Sequence, residues 1–161
     1  MLRDCGIVEG TTNASLLMCD GSQRFLSGPQ SFDISNIIWD STCDYVEFDC
    51  NFPGQPYGLR AMLGVPGRVV RVDGYLAMLD GSMPDCGISH DRLEGEIRAQ
   101  RPCKTGPRTF VILDLRTPHA HLNGMSGAPV LARDEDGEHV VGALVGSLRF
   151  EGGGDFVAIQ V

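Results

Sequence analysis

No apolar run in this chain is long enough to cross a bilayer as a helix. The longest, residues 140–146, falls far short of the roughly 20 residues that the hydrocarbon core requires. Basic residues are scarce. Thirteen Lys and Arg stand against 21 Asp and Glu, and the resulting net charge of −8 argues against the clustered positive surface that a phosphate backbone demands. Neither a membrane nor a nucleic acid is therefore expected as a partner. The first six residues lack a charged segment followed by an apolar one and a cleavage site, which points to the cytoplasm as the compartment. Helical periodicity is nearly absent as well, so a helical bundle is not expected.

Three further chemistries are poorly supported. Six cysteines could close three disulfides, but without a leader segment they read as thiols. Cys86, His90, Cys103, His119 and His121 could be drawn as a zinc set. Their order, a Cys-x3-His followed by a lone Cys and a His-x-His, lacks the paired spacing of structural zinc, and no metal is expected. No twelve-residue calcium loop is present in the acidic stretch 134–138, which reads as a hairpin tip.

What is present is a series of short alternating or apolar runs punctuated by Gly, Pro and Asp. Candidate strands cover residues 6–9, 14–19, 23–26, 45–49, 68–72, 109–115, 129–132, 139–149 and 155–161. Asp20-Gly21, Asp73-Gly74, Asp80-Gly81 and residues 134–137 fall between such runs and read as hairpin turns. One stretch, 89–100, places Leu93 and Ile97 four apart. It reads as at most a turn of helix inside a long connection over residues 80–107. With 161 residues, 42% of them hydrophobic, the chain can bury one sizeable core in a single all-β domain, a sandwich or barrel.

The most informative stretch is Asn123-Gly124-Met125-Ser126-Gly127-Ala128-Pro129-Val130. A serine between glycines can sit on a tight turn with backbone amides aimed at a developing oxyanion. Upstream, residues 14–30 give a strand, a turn and a strand, and Asp44-Tyr45-Val46-Glu47-Phe48 opens a strand with an aspartate. Leu63-Gly64-Val65-Pro66-Gly67 precedes residues 68–76, and residues 141–146 and 153–159 follow the serine loop.

In this order the chain resembles the trypsin-like (chymotrypsin-fold) serine proteases, nearest to their compact bacterial, HtrA-like branch. The resemblance covers residues 14–161. It implies two six-stranded antiparallel β-barrels, the first over about residues 1–60 and the second over 61–161. It also implies Ser126 as nucleophile, with the amides of Gly124 and Ser126 as oxyanion hole and Asp44 as the triad acid. His121, Leu144, Val145 and Gly146 would line the substrate pocket, and no cofactor is implied.

The chain departs from the family at the base. Gln30 stands where the catalytic histidine would fall, and all four histidines, at 90, 119, 121 and 139, follow Asp44. A neutral amide cannot accept the serine proton. Loss of such a histidine costs on the order of a millionfold in turnover. The expected function is therefore an inactive protease fold that binds an extended peptide or protein partner, within a larger protein or complex. The alternative is an active serine endopeptidase in which His90, His119 or His121 serves as a non-standard base, since triads are recognised by geometry and not by chain order.

Overall fold

The computed structural model describes residues 10–16, 30–40, 45–51, 59–77, 88–103, 108–117, 125–150 and 153–160. They form ten strands and no helix: β1 (Asn13–Leu16), β2 (Gln30–Asp40), β3 (Tyr45–Cys50), β4 (Arg60–Ala61), β5 (Val69–Ala77), β6 (Ile88–Pro102), β7 (Thr109–Arg116), β8 (Pro129–Asp134), β9 (Gly137–Phe150) and β10 (Gly153–Gln160). The chain divides into two compact units, Met1–Tyr57 and Gly58–Val161.

The second unit is a closed six-stranded antiparallel barrel. Two three-strand meanders, β5-β6-β7 and β8-β9-β10, join at both margins, where β5 pairs with β8 and β7 pairs with β10. Closure leaves the main strands without a free sheet edge over their paired lengths, which removes the exposed amides and carbonyls that invite aggregation. Its interior is set by alternation. Val70 and Val72 of β5, Leu93 and Ile97 of β6, Val111, Leu113 and Leu115 of β7, Val130 and Ala132 of β8, and Phe156 and Ala158 of β10 fill one buried cluster. The short strand β4 adds in parallel to the start of β9, and the Met62 amide continues that pairing to the Val140 carbonyl.

The first unit contains a three-stranded antiparallel sheet in the order β1-β2-β3. Phe32 and Ile34 are buried on one face, with Ile37 and Phe48 packed against them. A full barrel in this unit is not seen among the described residues, so of the two expected barrels one is present, accompanied by a small sheet. Strand β2 was not expected from the sequence, because its alternation changes phase. Phe32 and Ile34 keep a period of two, but a bulge between Ser35 and Ile38 inserts one residue and moves the next packed side chain to Ile37. Asn36 takes the left-handed conformation there, with φ 50, and its side-chain amide donates to Asp49 Oδ2 at 2.7 Å.

Two other expectations are corrected. Residues 89–100 are part of β6, not a connection with a helical turn. Leu93 and Ile97 share a face in a strand as well as in a helix, and the alternating charges Arg92, Glu94, Glu96 and Arg98 on the opposite, exposed face carry the period of two. Asp73-Gly74 lies inside β5 and not at a turn. Gly74 is required by close approach: a Cβ there would come within 2.9 Å of both Ala128 Cβ and Met125 Cε. Asp73 is held by Arg71 at 2.8 Å and Arg92 at 2.9 Å. The hairpin expected at residues 134–137 is present, with Asp134 paired to Gly137 and the Asp136 amide donating to Asp134 Oδ1 at 2.9 Å. Expected strands at 6–9 and 23–26, and the turns at 20–21 and 80–81, lie outside the described residues.

Gly74→Ala is expected to lower stability by about 1–3 kcal/mol, as overpacking of a filled interior does. Gly146→Ala, where an added Cβ meets nothing within 4 Å, is expected to stay within about 0.5 kcal/mol of the parent. Urea unfolding of the two variants makes the comparison, and equal midpoints would contradict the packing assigned to Gly74.

Candidate functional site

Ser126 occupies the corner of a tight turn. The Ala128 amide donates to the Met125 carbonyl at 2.9 Å, and Gly127, the third residue of the turn, has φ +86. That combination is a type II turn, in which the third position must be left-handed and so favours glycine. Both ends are anchored, since Met125 is 1% exposed and Ala128 is buried beside it. The flexible, apolar Met125 side chain fills the space above Gly74, and the serine is therefore mounted directly on the barrel interior.

Three hydrogen bonds fasten this turn to β9. Gly127 N donates to Leu144 O at 2.7 Å, and Leu144 N donates to Ala128 O at 2.9 Å. The half-buried Ser126 hydroxyl donates to Val145 O at 3.2 Å. The last bond depends on a β-bulge. Gly146 pairs with Val157 and Leu144 with Ala158, so Val145 is an extra residue with no opposite number on β10. Strand β8 gives it no partner either, because the β8 ladder begins at Pro129 opposite Ala143.

This arrangement directs the serine proton to a backbone carbonyl, which is an acceptor but not a base at neutral pH. A nucleophilic serine needs its proton on a nitrogen within about 2.6–3.2 Å. Among the described side chains the one imidazole is His139, and it is engaged elsewhere. Its Nε2 lies 2.9 Å from Asp134 Oδ1 at the β8–β9 hairpin. His139 and Val145 are six steps apart along β9, a rise of about 20 Å, so His139 is toward the opposite end of the strand from Ser126. His90 is in β6, its backbone opposite Tyr75 of β5. His119 and His121 lie outside the described residues, as do Asp44 and the proposed oxyanion donor Gly124. Gln30 is the first residue of β2, opposite Leu16, in the first unit.

The residues expected to line a pocket divide sharply. Leu144 is 2% exposed and belongs to the barrel interior together with Met125 and Ala128, while its backbone bonds the serine turn. Val145 is half-buried and Gly146 is exposed. Sequence reasoning missed Met125 and Gly74 as the pair that supports Ser126, and the bulge that frees the Val145 carbonyl. Of the described cysteines, Cys50 is exposed and Cys103 is buried. Among the described residues no group of three or more His, Cys, Asp and Glu side chains could hold a metal ion. No helix there is long and apolar enough to cross a membrane. A shallow cavity of about 270 Å³ lies on the barrel wall, lined by Val69, Glu94, Gly95, Glu96, Asp114 and Arg116, and the serine turn takes no part in it.

Desolvation acts to raise the Asp134 carboxyl. The His139 hydrogen bond and charge, with bonds from the Asp136 and Gly137 amides, outweigh it and hold the group below its ordinary value of 3.8. A carboxylate depressed on folding adds stability above its unfolded value, and that contribution is lost as pH falls through the lower folded value. Asp134→Asn should therefore lower the melting temperature at neutral pH and make little difference in strong acid. Ser126→Ala is expected to cost about 0.5–1.5 kcal/mol in urea unfolding, the loss of one hydrogen bond to Val145. Gly127→Ala is expected to cost about 1–2 kcal/mol through its left-handed backbone. No protein-family model, curated protein or solved structure matches this chain.

Proposed function

We propose that the protein is a trypsin-like (chymotrypsin-fold) serine-protease relative without catalytic power, and that it binds an extended peptide or protein segment beside Ser126. The observation that carries this reading is the hydroxyl of Ser126 donated to the Val145 carbonyl, in a turn fastened to β9. A serine so placed lacks a base among the described side chains. The closed barrel of two joined meanders is compatible with the second barrel of that family. Gln30, in the position where the resemblance puts the histidine, agrees with the loss of chemistry.

Peptide binding is supported by what lies beyond the turn. Past Val145, beyond the bonds to the serine turn, β9 continues to Phe150 with β10 on one side and, among the described residues, no strand on the other. A row of backbone donors and acceptors on such an edge accepts an added strand, with affinity from main-chain hydrogen bonds and selectivity from alternate side chains. The amides of Gly124 and Ser126 would hold a carbonyl or carboxylate oxygen at its end. Acidic charge over the whole chain favours a neutral or basic segment over an acidic one.

Two measurements test the reading. A fluorophosphonate probe, followed by intact mass, is expected to leave the wild-type protein unlabelled. Stoichiometric labelling that disappears in Ser126→Ala would establish a working base and replace the proposal with an active endopeptidase. Selection of binders from an unbiased peptide library, followed by amide hydrogen exchange, is expected to show protection concentrated at residues 146–149. Binding with no protection there would place the partner elsewhere.

A further inference from the structure

We draw no further inference here: the strongest candidate, the exposed apolar surface of Leu63 and Val65 before β5 and Val69 at its start, where Val69 joins Glu94, Glu96, Asp114 and Arg116 in lining the barrel-wall cavity, carries nothing because nothing in the structure shows what covers it.

Discussion

The pairing of β10 with both β7 and β9 is the constraint on which the second unit depends. Without it the two meanders would form an open sheet with β7 and β9 as edges, and the alternating Val, Leu and Ile positions would face solvent across the gap. With it, side chains from all six barrel strands meet in one interior, and hydrophobic burial of about 25 cal/mol per Å² acts on every strand together. The serine turn inherits its rigidity from that closure. Met125 and Ala128 are held because the space beneath them, at Gly74, is already bounded by the barrel wall.

The β9 bulge then determines the chemistry of the turn. A regular ladder at Val145 would direct its backbone groups to β10, and Ser126 would have no acceptor there. By adding one residue opposite Val157 and Ala158, the strand turns a carbonyl toward the serine instead. The result is a hydroxyl with a defined direction and a structural partner. Catalysis would require the same hydroxyl to exchange that partner for a nitrogen base, at the cost of one hydrogen bond of about 1 kcal/mol. That is a small barrier beside the cost of lacking a base altogether, so the identity of the groups around Ser126 matters more than the strength of its bond to Val145.

Much of the barrel was legible in the sequence. Residues 109–115 form a short, nearly continuous apolar run with Val111, Leu113 and Leu115 two apart, the residues around Asp134 and Gly137 carry turn chemistry, and the long run from His139 to Arg149 reads as a strand because its neighbours are apolar or small. What was not legible has common physical causes. Bulges shift the phase of alternation, which hid β2 at Asn36 and left the Val145 carbonyl unnoticed. Glycine serves turns and close approaches alike, so Gly74 was read as a hairpin when its role is to admit Met125. Leu93 and Ile97 satisfy helical and extended spacing equally, and only the charges between them separate the two. At the site, the small residues flanking Ser126 announced a tight turn, but the depth of Leu144 could not be foreseen from a wall strand of uniformly apolar residues.

Ser126 donates to Val145 and has no base beside it among the described side chains. A crystallographic determination of the protein at a resolution that fixes side-chain oxygens tests it most directly, through the surroundings of Ser126 Oγ. Val145 O is expected within hydrogen-bond reach, and no imidazole nitrogen within about 3.2 Å. An imidazole of His90, His119 or His121 seated at that distance, with its second nitrogen on a carboxylate, would contradict it.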